Sequence, residues 1–379
     1  MLRNHAKLAL CLIVLCLPLM AFAGPDSHAV GAVYTMTNAG TGNSVVIFDR
    51  YNDGTLSAPR TVSTGGKGLG LPLASQGSIV LTANNRYLLV SNAGSDDISV
   101  FSVGNNRIDN IGVYPSGGHI PYSIAVSGDL VYVLNAGDAT HDSNVTGFRM
   151  DAQGALTPIP DSARLLSNSH FADPAQVGFN PSGDKLVVTE RATNSISVFP
   201  VDGETGLLGT LVSSPSSAPT PYGFVFAKQN ELIIAEANGM AANMSSMSSY
   251  ILNEDGTLTV VTAAATTHQT AACWVAVGKG GRFTYTTNAL SASISGYSID
   301  PTGALELLTA NGRTGVTASG LPVDDAFSID GRFLYALTLT LPPPLQSGIS
   351  SFRVEPNGNL TTIQDLHFAF LFAAGIAVR

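Results

Sequence analysis

Residues 178–208, GFNPSGDKLVVTERATNSISVFPVDGETGLL, read as an apolar strand end, a tight turn (NPSGD), a second strand (KLVVTE), a loop, a third strand (SISVFPV) and a second turn (DGETG). In SISVFPV apolar residues alternate with small or polar ones, the period of two expected of a half-buried strand. The same unit is spelled along the whole chain. Aligning the second strand of each copy gives AVYTMTNAG, RYLLVSNAG, LVYVLNAG, KLVVTERA, ELIIAEAN, FTYTTNAL and FLYALTLT. The residues at the strand exits are Asn38, Asn92, Asn135, Glu190, Glu236, Asn288 and Thr338, spaced 43 to 55 residues apart. A repeat of roughly 50 residues is the length of a propeller blade.

Third strands follow each copy (NSVVIFDR, DDISVFSV, SNVTGFRM, NSISVFPV, MSSYILN, ASISGYSI, SGISSFRV). Most are closed by a turn with glycine at a fixed place, as in NDGTLS, AQGALT, GETGLL, EDGTLT, PTGALE and PNGNLT. Glycine there supplies the positive φ that such turns need. First strands precede six of the second strands: GSIVLT, YSIAVS, AQVGFN, GFVFAK, CWVAVG and DAFSID. The copy opening at Gly31 lacks one, while the chain ends in FAAGIAVR, which has the pattern of a first strand. Residues 373–378 are therefore expected to pair with residues 31–37. That closes a ring and removes exposed sheet edges. The expected fold is all-β: a seven-bladed β-propeller of four-stranded antiparallel blades, closed by N- and C-terminal strands, with residues 24–379 as one domain.

The first 23 residues stand outside this pattern. Arg3, His5 and Lys7 precede the apolar LALCLIVLCLPLM, and Ala21-Phe22-Ala23 offers a small-residue cleavage site, so residues 1–23 read as a secretory signal peptide. The expectation is an exported protein, periplasmic or secreted, without membrane insertion. Removing the signal leaves 16 basic against 27 acidic residues, a net charge of −11. No Lys/Arg cluster interrupts that acidity, which excludes nucleic acid and anionic membranes as natural partners. Cys273 alone remains of the cysteines and lies in the apolar run AACWVAV, as a buried inert thiol would.

In such a blade the loop leading into the first strand and the loop leaving the second open on one face; the NPSGD and GETG turns lie on the other. The incoming loops differ from one another (SGGHIPYS, NSHFADPAQ, APTPYG, THQTAAC, LPVDDA), so that face is expected to bind. Glu190 stands where four other copies have Asn, and a carboxylate in a partly dry channel can act as general base. Glu236 holds the same place one blade on, and paired carboxylates can divide acid and base roles. Arg191 is the candidate oxyanion stabiliser. Gln176, Tyr122 and Tyr222 begin first strands and are candidate substrate contacts at the channel mouth, with His170 in an incoming loop beside them. The spacings of His119, His141, His170 and His268 match no metal motif, and no metal or cofactor is expected. Asp324-Asp325 is a weak cation candidate. Met240, Met244 and Met247 read as packing in a small-residue loop, with Cu(I) ligation as the alternative.

The repeats, the two-ended closure and GFNPSGDKLVVTERATNSISVFPVD resemble the seven-bladed lactonase family, which includes 6-phosphogluconolactonase-type and carboxymuconate-cyclising enzymes. The similarity covers nearly the whole chain after the signal. Family enzymes typically enter the blade-four strand through Gly-Pro-Arg-His and leave the second strand through Asn-Glu-Leu. Here the corresponding residues are Asp173-Pro174-Ala175-Gln176 and Thr189-Glu190-Arg191, so Pro174 and Glu190 match and the Arg-His pair is absent. The resemblance implies a metal-independent hydrolase or cyclising enzyme acting on a small lactone-type sugar acid or organic acid. The alternative is a non-catalytic binding or scaffold propeller with an envelope-protein partner, because YLLVSNAGSDDISVF and LVVTERATNSISVF also resemble the YVTN-type repeats of surface propellers.

Overall fold

The computed structural model describes residues 28–104, 107–168, 170, 172–228, 230–340 and 345–379. The signal peptide expected over residues 1–23 lies outside the described residues, as do positions 341–344 of the blade-seven insertion.

Seven antiparallel sheets follow one another round a ring, each built as the repeat demands. Blade four is the plainest: Pro174–Phe179 innermost, then Lys185–Glu190, Ser195–Pro200 and Val212–Pro215 outermost. Blades three and six split the outermost strand into two short pieces on the same neighbour. Blade one takes its inner strand from the other end of the chain: Ala374–Val378 pairs with Gly31–Met36, Val33 opposite Val378 and Tyr34 opposite Ala377. The expected closure is the observed one.

Second strands such as YLLVSN, LVYVLN and KLVVTE are buried at every residue, because neighbouring blades cover both faces. That is why they read as apolar runs, whereas the outermost IDNIGVYP is largely open. Each gap between blades holds its own apolar cluster, and these seams run unbroken from blade one to blade seven and back to blade one. Each fully buried Val, Leu or Phe in a seam contributes about 1.5–3 kcal/mol.

The repeated turn glycine proves to be an inter-blade part. Gly54, Gly154, Gly206 and Gly358 have φ of +89°, +86°, +76° and +84°, and a Cβ on any of them would lie 2.5–2.8 Å from side chains of the preceding blade. Onto the same turns that blade donates its buried tyrosine hydroxyls: Tyr132 to Gly206 O at 2.6 Å, Tyr285 to Gly358 O at 2.7 Å and Tyr335 to Gly54 O at 3.0 Å. These turns are thereby committed to architecture.

Candidate active site

Glu190 ends its strand opposite Pro174 and Ser195, and its side chain is fully buried. Oε1 accepts from Ser197 Oγ at 2.5 Å and Ser167 N at 3.2 Å; Oε2 accepts from Thr193 Oγ1 at 3.2 Å and from the Ser167 hydroxyl. Glu236 repeats the arrangement with Ser248 (2.6 Å), Ser246 (2.7 Å), Ser216 (3.1 Å) and Ala218 N (3.2 Å). Burial raises the Glu236 pKa above the ordinary carboxylate value, against the pull of these donors. The two carboxylates share no hydrogen-bonding partner, so the expectation of an acid–base pair on one pocket is corrected. Asn92 and Asn288 make the corresponding bonds in their blades, to Asp97 and Ser99 and to Ser293 and Ser295. In blades two to six the exit residue is a latch that ties the second strand to the third, and in blades three, four and five it also reaches the connection arriving from the previous blade. Glutamate serves where the surrounding groups are hydroxyl and amide donors, because a carboxylate offers two acceptor oxygens.

The axis itself is filled on the loop side. The connection from blade one to blade two, residues 64–78, is much longer than the others, and its end runs across the channel. There Gln76 N donates to Ala175 O at 3.1 Å, and Trp274 Nε1 donates to Ser75 O at 2.8 Å. Ala74 N donates to Tyr122 Oη at 3.3 Å, and Ser123 Oγ donates to Gln76 O at 2.6 Å. Gly223 leaves room for this crossing, since a Cβ there would sit 2.0 Å from Gln76 Oε1.

The plug decides what several candidates can do. Tyr222 is buried, with Trp274 packed on it at 5.1 Å between ring centroids and the Arg191 guanidinium 4.7 Å over its face. Its expected place among the substrate contacts is corrected, because a ligand cannot reach it. Arg191 donates to Ala74 O at 3.1 Å and to Asp173 Oδ1 at 2.5 Å. Burial opposes its charge, but the Tyr222, Asp173 and Tyr122 oxygens outweigh this and hold its pKa above the ordinary value. Its donors bind the plug and the blade-four loop, so it positions and does not meet an oxyanion. Gln176 points its amide across to blade five, donating to Phe224 O at 3.1 Å and accepting from Phe224 N at 2.6 Å. It borders a cavity of about 790 Å³ on the turn side, together with Asn180 and Pro181, and is therefore separated from the loop-face candidates. Cys273 is buried beside Tyr222, and burial pushes its thiol pKa up to about 12, as expected of an inert side chain.

Two candidates meet on the loop face. Tyr122 and His170 line a cleft of about 290 Å³ with Leu69, Asp138, Ser143 and Asp173. His170 Nδ1 lies 2.9 Å from Asp142 Oδ1. Tyr122 Oη accepts from Ala74 N, which leaves its own hydrogen to donate. Asp138 is held by Thr140 N and Oγ1 and by His141, which depress its pKa well below the carboxylate range.

Elsewhere, Asp324 Oδ2 accepts from Ile376 N at 3.1 Å and its Oδ1 from Asp325 N at 2.9 Å, fixing blade seven to the closing strand. Both acids are buried, and burial raises both pKa values far above the usual range. Met247 lies in the seam between blades five and six, while Met240 and Met244 are exposed. Sequence reasoning missed the plug and Asp142. The unusual length of residues 64–78, rich in glycine, was the available signal for the plug; nothing local marks Asp142 as the partner of His170.

Among the described residues no helix is long and apolar enough to cross a membrane. The model of the family "Lactonase, 7-bladed beta-propeller" matches residues 32–165 and 141–244, two overlapping passes through a repeat that together span more than half of the chain. No curated protein matches the sequence. Among solved structures, the periplasmic gluconolactonase of Pseudomonas aeruginosa superposes with a TM-score of 0.71 at 17% identity, covering 92% of this chain and 98% of that one. A Lactobacillus plantarum protein gives 0.71 at 15% identity, over 92% and 99%. A Bacteroides uniformis protein described as a candidate 6-phosphogluconolactonase gives 0.68 at 15% identity, over 92% and 99%. At such identities these likenesses speak for the fold.

Proposed function

Because this chain belongs to the seven-bladed β-propeller lactonase family, we propose that it hydrolyses a small, uncharged lactone of a sugar acid or organic acid in the loop-face cleft. The observation that carries this reading is the His170–Asp142 contact of 2.9 Å at a cleft also lined by Tyr122. Asp142 holds its carboxylate at ion-pair distance from Nδ1, and the reading assigns the general-base role to the other ring nitrogen, Nε2. In the proposed step Nε2 takes a proton from water as the water oxygen attacks the lactone carbonyl carbon. Tyr122 donates its hydroxyl hydrogen to the oxyanion that forms. The tetrahedral adduct then collapses, the ring C–O bond breaks, and the departing oxygen takes the proton from His170.

The electrostatics of the cleft select the substrate class. Asp138 and Asp173 line it and Asp142 stands beside His170, while the Arg191 guanidinium is already committed to Asp173 and Ala74. On the protein's own side chains, a phosphorylated lactone would meet repulsion from Asp138 and Asp142, with the Arg191 guanidinium already paired to Asp173. A neutral lactone would not, and its carboxylate product would be repelled and released. On the reading of residues 1–23, we place the activity outside the cytoplasm.

The test is turnover of a panel of neutral aldonolactones and their 6-phosphates by wild type and His170→Ala. Hydrolysis of neutral members, lowered about 10²- to 10⁴-fold in the variant, is the expected result for loss of a general base. A folded wild type that turns over no lactone would favour the scaffold reading, with recovery of a defined envelope protein as its positive sign.

A further inference from the structure

Beside the cleft stands a second constellation that the proposed hydrolysis does not use. His119 comes from the loop leading into blade three, and Asp138 and His141 from the loop leaving its second strand. One ligand atom of each lies within 4.8 Å of the others. His119 Nε2 is 3.3 Å from Asp138 Oδ2, and His141 Nδ1 is 2.9 Å from Asp138 Oδ1. The two loops are joined by a backbone bond from Gly137 N to His119 O at 2.9 Å, which fixes this approach.

Two features point beyond proximity. His119 Nδ1 lies 2.9 Å from Asp96 Oδ2, and the other oxygen of Asp96 accepts from Ile120 N at 2.8 Å. A carboxylate on one ring nitrogen, itself anchored, is the arrangement that orients metal-binding histidines and makes the opposite nitrogen more basic. The opposite ring nitrogen, Nε2, faces Asp138 Oδ2, so the oriented histidine and the carboxylate present their ligand atoms to one point. Asp138 is prepared for the same purpose: Oδ1 is pinned by Thr140 N at 2.7 Å and His141 N at 2.9 Å, which leaves Oδ2 turned to His119.

We propose that His119, Asp138 and His141 bind a divalent transition-metal ion of the Zn²⁺ class, with Asp96 as the positioning residue. Two imidazoles and one carboxylate suit such ions and not Mg²⁺ or Ca²⁺, which want oxygen ligands. Three protein ligands leave a fourth position for water or a ligand oxygen. Asp138 also lines the cleft, so the ion would stand at its rim. The sequence spacing hid this set, because 19 residues separate His119 from Asp138 and only the blade brings them together.

The experiment is calorimetric titration of untagged, chelator-stripped protein with Zn²⁺ and, separately, Mg²⁺ at pH 7.5. One saturable Zn²⁺ site is expected, with no Mg²⁺ site. His119→Ala and Asp138→Asn should each weaken binding at least 100-fold, and Asp96→Asn about 10- to 100-fold. Each variant is checked for a wild-type circular dichroism spectrum and melting transition in the presence of chelator. No saturable Zn²⁺ binding by wild type, or binding of unchanged affinity in a folded His119→Ala/His141→Ala double variant, overturns the proposal. The readout is binding, so an absence of lactone turnover leaves the result standing.

Discussion

Gln76 and Val275, 199 residues apart, hold each other by two hydrogen bonds: Gln76 Nε2 donates to Val275 O at 2.8 Å, and Val275 N donates to Gln76 Oε1 at 3.1 Å. A side-chain amide here does the work of a sheet partner, satisfying both polar groups of an inner-strand residue on its axial side, opposite the strand that pairs it with Thr286. The connection between blades one and two is thereby fastened to blade six across the axis. Rigid support for the loop face follows, because the same segment also carries bonds to Tyr122 and from Arg191.

Removing that clamp should be costly. Gln76→Ala strands the amide and carbonyl of Val275 in a buried place, and each unsatisfied group costs about 1–3 kcal/mol. The expected loss is about 2–6 kcal/mol, read as a lower midpoint in urea unfolding at unchanged slope. A loss below about 0.5 kcal/mol would mean that water replaces the carboxamide, and the channel would then have to be wet.

Glu190 gives the sharpest separation of latch from catalyst. Glu190→Gln keeps the size of the side chain and one acceptor, and the rotatable hydroxyls of Ser167, Thr193 and Ser197 can turn to accept from the new amide. Stability should fall by about 1 kcal/mol, and lactone turnover per folded molecule should stay within a few-fold of wild type. A general base would instead lose about 10²- to 10⁴-fold. Rates measured with the folded fraction determined in parallel decide between the two.

The residues explain how far the sequence could be read. The blades were legible because burial on both faces makes KLVVTE or LVYVLN a continuous apolar run and because turn glycines recur at fixed offsets. Closure was legible because blade one lacked an inner strand and FAAGIAVR supplied one. Glu190 also stood out, as an acid among asparagines, but sequence position could not tell whether its carboxylate looks at the axis or at Ser167 and Ser197. The histidine constellation was invisible for a related reason. His119 and Asp138 lie in different loops, and their meeting depends on the register of Pro121 against Asn135 in the blade-three hairpin.

Buried acids set the pH dependence of stability. Glu236, Asp324 and Asp325 all have carboxyl pKa values raised by burial. In the unfolded chain such groups ionise near about 4. Above that value the native state still holds protons that the unfolded state has lost, so stability is full below about pH 4 and falls as pH rises towards the folded pKa values. Each such group contributes a slope of up to about 1.4 kcal/mol per pH unit. Asp138 and Asp184, whose pKa values are depressed, act in the opposite sense and only below about pH 4. Among the described residues neither Asp325 oxygen has a hydrogen-bond partner, so Asp325→Asn should be tolerated and should flatten the fall. Urea midpoints at pH 5, 6.5 and 8 test this; identical slopes in wild type and variant would show that Asp325 is ionised in the native protein.

The closing strand supplies the last test. Gly375 sits at φ +68°, and a Cβ there would lie 2.5 Å from both Ile79 Cγ2 and Ser78 Oγ of blade two. Gly375→Ala therefore combines left-handed backbone strain, about 1–2 kcal/mol, with an overpacked seam, about 1–3 kcal/mol. Gly128 is the natural control, since it has φ +59° but no atom within 4 Å of a built Cβ. Gly128→Ala should lose only the backbone share. The difference between the two melting temperatures isolates the packing of blade one's borrowed strand on blade two, and amide exchange along residues 31–36 should quicken only in Gly375→Ala. Equal losses, with unchanged exchange, would mean that the ring yields at this seam and that its closure rests on the pairing of Gly31–Met36 with Ala374–Val378.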